Sequence, residues 1–411
     1  MLEKFLRFSK KYLIPRPIFR LIQPAYHYLL AFLGSFFYGA PSRKIFVIGV
    51  TGTKGKTTAL ELMNAVLEAG GKKTAIFSST TRKISGKREK NPTETTMPGR
   101  FALQKFFREA VGAGCEYALI EVTSEGVTKY RHRFIHWDAA VFLNIHPEHI
   151  EAHGSFEEYL KAKLDFFREL GRSSKKKRYF FINEDDARAP AFEKAVRSVK
   201  GGVIAGFSEN DVRPLAGGNP QLLFNLPNAA AALALARVLG IEEGALRAFR
   251  NFKGLPGRLE FVQKEPFGVV IDYAHTPDSL ERLYKFLGNQ RLICVLGSAG
   301  GGRDKWKRPE LGRIAARHCD EIILTNEDPY DENPKQILSQ IKSGISNSQF
   351  LISNVHEIID RREAIKKAVS LAKKDDMVVI TGKGSEEWIH VAGGKKIPWN
   401  DRKVVEEILG K

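Results

Sequence analysis

Short apolar runs alternate with amphipathic stretches from residue 44 to the end of the chain. In the first half of this region the pattern predicts strands at 45–50, 74–78, 117–122, 139–143 and 179–182, and helices at 57–70, 100–112, 155–170 and 228–239. Strands that alternate with helices are typical of a largely parallel sheet with helices packed on its faces. We therefore predict an α/β domain over residues 44–254.

The alternation begins again after the turn Gly254-Leu255-Pro256-Gly257. Here the pattern predicts strands at 268–271, 292–296, 321–324 and 377–381, and helices at 277–287, 309–318, 334–342 and 361–374. This second region, 255–411, is expected to form a Rossmann-like α/β domain. Because ligands of such sheets bind at the carboxyl ends of the strands, polar residues that directly follow strands are the candidates for function.

Residues 1–43 have a different character. Six cations and one acid, Glu3, occupy the first 20 residues, whereas residues 21–42 carry no formal charge and are rich in aromatic side chains. Pro24 and scattered polar residues make this a poor continuous membrane span. Two interpretations remain open: a basic and aromatic helical segment that binds the membrane interface, or helices packed on the protein's own body.

Composition limits the class of partner. With 411 residues, a net charge of +18 and an isoelectric point near 9.6, the chain favours acidic ligands such as nucleotides, phosphorylated metabolites or anionic lipids. No nucleic-acid-binding signature accompanies the cations, so we expect no nucleic-acid partner. Three cysteines without paired metal-ligand spacing argue against a disulfide framework or a zinc ribbon and favour a reducing cytoplasm.

The most informative motif follows the first predicted strand. Residues 49–58 read Gly-Val-Thr-Gly-Thr-Lys-Gly-Lys-Thr-Thr and lead directly into a predicted helix. A glycine loop at a helix N-terminus directs backbone N–H groups at phosphate oxygens, and it adds a lysine charge and a hydroxyl that ligates Mg²⁺. The motif therefore predicts a P-loop-type ATPase domain, rather than a glycine turn with an incidental lysine.

Other polar signals also lie at strand ends. Glu121 ends one apolar strand, where a carboxylate is well placed to hold Mg²⁺ near the loop. Asn144 and His149 follow another strand, and a helix with Tyr159 and Lys163 comes next. These residues indicate that the loop belongs to a larger site.

Nine motifs together resemble the Mur ligase family, the ATP-dependent amide-forming enzymes of peptidoglycan precursor synthesis. The resemblance is closest to the branch of UDP-N-acetylmuramoyl-tripeptide synthetases, the UDP-N-acetylmuramoyl-L-alanyl-D-glutamate ligases. The motifs occur in the family's order, at 49–58, 121–124, 144–149, 153–163, 224–228, 255–258, 272–277, 301–305 and 382–386.

The resemblance implies an acid–amino-acid ligase that joins an amino acid to a muramoyl peptide. In the family a substrate carboxylate attacks the γ-phosphate of ATP, and an amine displaces phosphate from the acyl phosphate to give an amide. Such an enzyme serves cell-wall synthesis, cell shape and division from the cytoplasm. The cofactors implied are ATP and two Mg²⁺ ions, with a CO₂-derived carbamate on Lys163.

The resemblance also assigns residues to roles. The catalytic set is Lys56, Glu121, His149 and Lys163. The implied metal ligands are Thr57, Glu121 and His149. ATP contacts are implied for Gly52, Thr53, Lys54, Gly55, Lys56, Thr57, Thr58, Asn225, Asn228, Arg258 and Asp272. Substrate contacts are implied for Thr95, Thr96, Arg303, Asp304, Asp328, Lys383 and Glu386.

Lys163 matches the lysine that the family carbamylates. An ammonium beside divalent cations would be repelled, whereas the carbamate is an anion that supports them. The alternative is an ordinary lysine on a helix surface.

Two departures from the family pattern bear on the substrates. Diaminopimelate-adding members carry Asp-Asn-Pro-Arg where this chain has Glu327-Asp328-Pro329-Tyr330, so the arginine that would clamp a distal carboxylate is missing. A diamino acid is expected, with lysine, another diamine and an unusual diaminopimelate site all open. Only 44 residues precede the first ATPase strand, so we expect the family's uridine-binding domain to be absent. The N-terminus then suggests a lipid-linked precursor at the inner membrane face.

Two further functions are alternatives. A folylpolyglutamate synthase-like ligase would share the two-domain core, but the spacing of His153, Tyr159 and Lys163 favours the muramoyl branch. A catalytically silent ATP-binding partner at the membrane would belong to a different class, and turnover would distinguish it.

Overall fold

The computed structural model describes residues 16–93, 95–148, 153–303, 305–346 and 354–411, and for residues 16–22 the backbone only. Two compact units form, the first from the chain up to Pro147 with His153–Phe252, and the second mainly from Lys253–Lys411. The break at Phe252 lies close to the end of the domain predicted over residues 44–254.

The first unit is built on an eight-stranded sheet of order β4-β3-β2-β5-β1-β6-β7-β8. Neighbouring strands are parallel except in the pairs β2–β3 and β3–β4, which form an antiparallel meander at one edge. The strands are β1 Phe46–Thr51, β2 Thr74–Phe77, β3 Thr81–Ile84, β4 Lys87–Lys90, β5 Tyr117–Glu121, β6 Ala139–Phe142, β7 Arg178–Asn183 and β8 Gly202–Phe207.

Apolar clusters cover both faces of this sheet, which is why its central strands are apolar throughout. Ile48 and Val50 of β1 join one cluster with the helices Lys56–Ala69 and Leu226–Leu239, whereas Val47 joins the other with helix Phe156–Leu170. The other α-helices of the unit are Arg16–Phe37, Arg100–Gly112, Ser124–Thr128, Ala189–Val196, Glu209–Val212, Pro220–Phe224 and Glu242–Arg250. Turns of 3₁₀ helix occupy Pro41–Lys44 and Arg213–Leu215.

The second unit has a six-stranded sheet of order β13-β12-β11-β14-β10-β9 that is parallel except for β9. Its strands are β9 Glu260–Gln263, β10 Gly268–Asp272, β11 Leu292–Leu296, β12 Glu321–Leu324, β13 Val355–Glu357 and β14 Met377–Thr381, and a separate hairpin pairs β15 Trp388–Val391 with β16 Lys395–Pro398. The helices are Pro277–Leu287, Lys307–His318, Pro334–Ser346, Arg361–Leu371 and Asp401–Ile408, with a 3₁₀ turn at Ala392–Gly394.

The sequence pattern identifies every strand of the two parallel cores except β8 and β13, with strand ends within one residue. Helix ends differ more, because the predicted helix 334–342 continues to Ser346 and the predicted helix 361–374 ends at Leu371. The antiparallel strands β3, β4, β9, β15 and β16 were absent from the prediction. Each has only four residues, and polar residues interrupt its apolar ones, so none contains the continuous apolar run of a strand buried on both faces.

The structure corrects the expectation drawn from the cysteines. Cys294 on β11 and Cys319 form a disulfide, with their Cα atoms 6.1 Å apart. The parallel pairing of β11 with β12 brings together two residues that are 25 positions apart, and that separation gives no signal in the sequence. Cys115 is free and buried.

In the part of the N-terminal segment that the structure describes, one α-helix spans Arg16–Phe37, with Pro24 inside it. The helix lies against helix Arg100–Gly112, since a Cβ on Gly34 would be 3.6 Å from the ring of Phe101. Within the part of the chain that the structure describes, no helix is long and apolar enough to cross a membrane. Residues 1–15 of the predicted segment lie outside the described residues.

Candidate active site

The glycine loop lies at the carboxyl end of the central strand of the first unit. β1 ends at Thr51 and helix Lys56–Ala69 begins five residues later, so the loop occupies the strand-to-helix junction that the sequence predicts. β5 and β6 flank β1 on its two sides. Residues at the ends of those two strands are therefore the neighbours of the loop.

Asn144, two residues past the end of β6, fixes the shape of this loop. Its Oδ1 accepts the N–H groups of Thr53 at 3.1 Å and Lys54 at 3.0 Å, and its Nδ2 donates to the Lys54 carbonyl at 3.2 Å. Because those two N–H groups point at Asn144, we infer that a bound phosphate would take the N–H groups from Gly55 onward, where the helix begins.

Gly55 lies directly against Asn228, one of the two asparagines that are predicted to contact ATP. Its φ is +79°, and a Cβ at this position would be 2.4 Å from Asn228 Oδ1. The Asn228 amide in turn donates to Asn225 Oδ1 at 3.1 Å. The loop and the Asn225–Asn228 pair therefore form one continuous wall, and only glycine fits at position 55.

Two lysines converge on a single carbonyl of the loop. Lys56 Nζ donates to Gly52 O at 2.9 Å and to Thr53 O at 2.9 Å, and Lys163 Nζ donates to Gly52 O at 2.8 Å. Lys163 is only 1% exposed, so the alternative of an ordinary surface lysine does not describe it. Two ammonium groups this close repel each other, and an anion in the loop would relieve that repulsion.

Helix Phe156–Leu170 positions Lys163 beside the loop. Ser155 caps its N-terminus by accepting the Glu158 N–H at 3.2 Å. Residues four apart lie on one face of a helix, and Tyr159 accordingly contacts the same loop through its hydroxyl, 3.0 Å from Thr53 Oγ1. The Lys163 ammonium lies 4.8 Å from the centre of the Tyr159 ring.

Thr57 and Glu121 meet beside the loop. In the parallel register Glu121 pairs with Val50, which places its carboxylate at the carboxyl end of β1. Glu121 Oε1 accepts the Thr57 hydroxyl at 2.7 Å and the Ser79 N–H at 3.0 Å, and the residue is 1% exposed. A hydroxyl and a buried carboxylate suit Mg²⁺, which binds through few protein oxygens and completes its shell with water and phosphate.

The remaining predicted metal ligand, His149, lies outside the described residues. Among the residues that are described, no group of three or more His, Cys, Asp or Glu side chains is arranged to hold an ion. The structure thus brings together two of the three predicted metal ligands, Thr57 and Glu121, and their binding of Mg²⁺ stays a prediction.

Thr95 and Thr96, which are predicted to contact the substrate, belong to a segment held at the carboxyl end of β2. That end of the sheet also carries the glycine loop. Asn91 Nδ2 donates to Thr95 O at 2.9 Å and to Ser78 O at 2.7 Å, which ties the segment to the end of β2. Thr95 is exposed and Thr96 is half-buried. Ser78 precedes Ser79, whose N–H contacts Glu121, so a short chain of contacts connects Thr95 with the carboxylate.

In the second unit, Lys383 joins two of the other predicted substrate residues. Its Nζ donates to Asp328 Oδ1 at 2.8 Å and to Glu386 Oε2 at 2.5 Å. Burial works to lower the pKa of Lys383, but the carboxylates of Glu386 and Asp328 outweigh it and hold the pKa above its ordinary value. The lysine therefore stays charged, and it orients both carboxylates.

Arg258 and Asp272 lie close to this cluster. The Arg258 guanidinium is 4.2 Å from the centre of the Tyr273 ring, and the Tyr273 hydroxyl donates to Glu386 Oε1 at 3.0 Å. Asp272 accepts the N–H groups of Leu259 and Ala274, both at 2.7 Å. Burial raises the pKa of Asp272, and Arg258 opposes that rise. The observed role of Asp272 is to shape the turn after β10, and its contact with ATP stays a prediction.

Tyr330 occupies the position of the missing arginine. Its ring stacks on that of His390 with centres 5.1 Å apart, and its hydroxyl lies 3.3 Å from Arg303 Nη2. Asp304, next to Arg303, lies outside the described residues. Ser79, Asn91 and His390 are not among the predicted site residues, and Asn144 is predicted to lie in the site but without a role. A polar residue directly after a strand was the available signal for Asn144 and Ser79, whereas nothing in the sequence marks His390.

Comparison with known proteins agrees with this geometry. The sequence model of the Mur ligase middle domain matches residues 50–219, and that of the Mur ligase glutamate ligase domain matches residues 257–384. The UDP-N-acetylmuramoyl-L-alanyl-D-glutamate--2,6-diaminopimelate ligase of Syntrophomonas wolfei is 35% identical over 408 residues, which cover 92% of this chain and 81% of the relative. The Aquifex aeolicus protein of that name is 34% identical over 398 residues, covering 91% of this chain and 79% of the relative.

Solved structures show the same similarity. A structure of such a diaminopimelate ligase has a TM-score of 0.58 and 29% identity, covering 89% of this chain and 78% of the other. Mycobacterium tuberculosis folylpolyglutamate synthase has a TM-score of 0.66 at 17% identity, covering 86% and 92%, which shows a shared fold alone. The two matched domains and the identity over most of the chain establish that the chain belongs to the Mur ligase family of ATP-dependent ligases.

Proposed function

We propose that this ligase joins an amino acid to a muramoyl peptide, through an acyl phosphate made with ATP, in peptidoglycan synthesis. One observation carries the proposal. The Thr57 hydroxyl and the Glu121 carboxylate meet at 2.7 Å beside a glycine loop on which the buried Lys163 ammonium also converges. Phosphate-binding, metal-binding and charge-balancing groups are thus within reach of one substrate.

The reaction proposed has two balanced steps. An oxygen of the peptide carboxylate attacks the γ-phosphorus, the bond from that phosphorus to the bridging oxygen breaks, and ADP leaves with the electron pair. The amine of the amino acid then attacks the carbonyl carbon of the acyl phosphate. Inorganic phosphate leaves, the amine loses a proton, and an amide remains. Because phosphoryl transfer depends mainly on positioning and electrostatics, fixed charges are the main requirement for the protein.

The residues of the first unit suit these demands. The loop from Gly52 to Thr58 would hold the phosphates, with Lys56 compensating charge that develops on them. Thr57 would hold a first Mg²⁺, and Glu121 with His149 would hold a second, which a carbamate on Lys163 would support. Mg²⁺ supplies neutralisation of phosphate charge when bound. Addition of CO₂ to Lys163 Nζ, with loss of two protons from the ammonium, would remove one of the two cations at Gly52 O and put an anion in its place.

We also propose that the incoming amino acid is a diamino acid held by the second unit. Lys383 holds the carboxylates of Asp328 and Glu386, and such carboxylates would receive an ammonium group. Tyr330 and His390 form an aromatic wall that holds one cation, Arg303, near it. A single guanidinium can pair with a distal carboxylate, so both lysine and diaminopimelate are candidates, and the relatives are named for diaminopimelate.

The protein would work in the cytoplasm, with residues 1–42 contacting the membrane surface. The muramoyl peptide is then either linked to UDP or carried by a lipid. A folylpolyglutamate synthase-like reaction is the second candidate, because M. tuberculosis folylpolyglutamate synthase has the same fold. No contact within the described site favours a folate.

An ADP-release screen tests the proposal. The acceptors are UDP-linked muramoyl dipeptide, its lipid-linked counterpart and a dihydrofolate, each with diaminopimelate, lysine, ornithine, norleucine or glutamate. Norleucine has the length of lysine but lacks the second amine, so it is the matched control. We expect ADP release only with a muramoyl dipeptide and a diamino acid. Release with the folate and glutamate, but with no muramoyl peptide, would refute the proposal.

A further inference from the structure

Helix Arg16–Phe37 presents an apolar surface to solvent. Phe36 and Phe37 are each 75% exposed, Leu29 is 54%, Tyr28 is 47% and Phe32 is 46%. We call these five residues the aromatic face. Soluble proteins seldom leave so many large apolar side chains together in water unless the surface binds something.

A loop of the first unit extends the aromatic face. The Tyr28 ring lies 5.0 Å from Phe134 and 6.2 Å from Tyr130, and the Phe32 ring lies 5.5 Å from Phe134. Tyr130 and Phe134 have φ values of 56° and 57°, a left-handed conformation that is uncommon for aromatic residues. The loop 129–134 therefore adds two half-buried rings to the surface, and nothing in the sequence pattern predicts this juxtaposition.

The segment that carries the aromatic face is basic in sequence. Helix Arg16–Phe37 contains two arginines and no acid, and residues 1–15 add four cations and one acid. The loop contributes Lys129, which pairs with Glu125, and Arg133, which pairs with Glu169 and lies 5.8 Å from the Tyr130 ring. Apolar rings with cations beside them match the interface of an anionic bilayer, where rings enter the acyl boundary and cations meet phosphates.

The charge pattern also favours a bilayer over a second copy of the chain as the partner of the aromatic face. A second copy docked through the same face would bring like charges together. An anionic bilayer satisfies both the rings and the cations, so it is the occupant that the chemistry favours.

The loop also connects this surface to the predicted muramoyl contacts. Arg131 Nη1 donates to the Met97 carbonyl, and Arg100 Nη2 donates to the Lys129 carbonyl. Met97 directly follows Thr95 and Thr96 in the chain. The segment proposed to meet the muramoyl peptide is therefore held by the same loop that borders the aromatic face.

We propose that the aromatic face and the loop 129–134 dock on an anionic bilayer surface, and that docking holds the Thr95–Thr96 segment where it receives a membrane-anchored muramoyl peptide. This inference rests on the proposed function, which it deepens by naming a lipid-anchored substrate. It predicts that vesicle binding and use of the lipid-anchored acceptor are lost together.

Vesicle sedimentation with the full-length protein tests the inference. The probes are phosphatidylcholine vesicles with and without phosphatidylglycerol. The double variant Phe36→Ser/Phe37→Ser removes the two most exposed rings. Its matched control is Val203→Ser/Ile204→Ser on the edge strand β8, where the two side chains are 41% and 43% exposed. We expect the first variant to bind anionic vesicles at least about tenfold more weakly, and the control to bind as the unchanged protein does.

Activity with the two acceptors separates this inference from the proposed function. The double variant should lose turnover with vesicle-borne muramoyl dipeptide, but in detergent it should match the unchanged protein. Equal vesicle binding by the double variant, the β8 control and the unchanged protein would refute docking. A dimer that the double variant dissociates, or a cross-link of residues 1–15 onto the aromatic face, would assign the face to another occupant. No ADP release from the unchanged protein with either acceptor would instead refute the proposed function.

Discussion

A methyl group at Gly55 provides a sharp test of the phosphate loop. Gly55→Ala forces an L side chain into a backbone conformation with φ of +79° and puts its Cβ 2.4 Å from Asn228 Oδ1. No Cβ tolerates such a contact, so the Asn228 side chain has to move away. Its movement breaks the 3.1 Å hydrogen bond to Asn225.

The expected cost has two parts. The left-handed backbone costs an alanine roughly 1–2 kcal/mol relative to glycine. Loss of the Asn228–Asn225 hydrogen bond adds about 0.5–1.5 kcal/mol. The free energy of unfolding should therefore fall by about 1.5–3.5 kcal/mol. ATP affinity should fall at least about tenfold, because the loop and the Asn225–Asn228 wall shift together.

The chain offers a matched control at Gly71. This glycine also has φ of +79°, but a Cβ there would meet nothing within 4 Å. Gly71→Ala should therefore show the backbone cost alone and bind ATP as the unchanged protein does. Urea unfolding measures stability, and calorimetric titration measures ATP affinity. If the two variants have equal stability and equal ATP affinity, the contact between Gly55 and Asn228 does not shape the nucleotide site.

Three further predictions concern charge. Glu121→Gln keeps an oxygen for the Thr57 hydroxyl but loses the metal-binding charge. The kcat/KM for ADP release should therefore fall by about 10²–10³, with stability nearly unchanged. An unaltered rate at limiting Mg²⁺ would refute the metal role. Lys163→Ala should stop turnover but leave ATP binding. Because a carbamate is an anion, added propionate rather than methylamine should restore part of the rate. Rescue by methylamine alone would show that an ammonium acts at this position. Burial, with help from Arg133 and Arg172, lowers the pKa of His132 to about 3, so stability from its neutral ring is lost as the pH falls below its unfolded pKa of 6.5. At pH 5 the free energy of unfolding should be about 2 kcal/mol lower than at pH 7.5, by urea unfolding, and His132→Leu should lose that part of the dependence.

The sequence identifies the parallel cores because their strands are apolar and their helices amphipathic, and both signals are local. It also identifies the glycine loop, because Gly52, Gly55 and Lys56 are neighbours in the chain. The sequence pattern does not predict the antiparallel strand β4, since Lys87–Lys90 is entirely exposed and polar. A strand without a buried face has no apolar period to detect.

Contacts between distant segments are the second limit. Asn144 shapes a loop about 90 positions earlier, and Tyr330 stacks on a histidine 60 positions later. The register between strands determines both contacts, and no single segment of the sequence contains the information that sets this register. Lys163 could be placed beside Gly52 only because the family motif carried that information.

The central claim is that ATP phosphorylates a carboxylate of a muramoyl peptide. A muramoyl dipeptide with both oxygens of its reacting carboxylate labelled as ¹⁸O tests this directly, by mass spectrometry of the phosphate released during turnover with the diamino acid. One ¹⁸O atom should appear in phosphate for each amide formed, with the other retained in the amide. Phosphate without ¹⁸O while amide accumulates would contradict it.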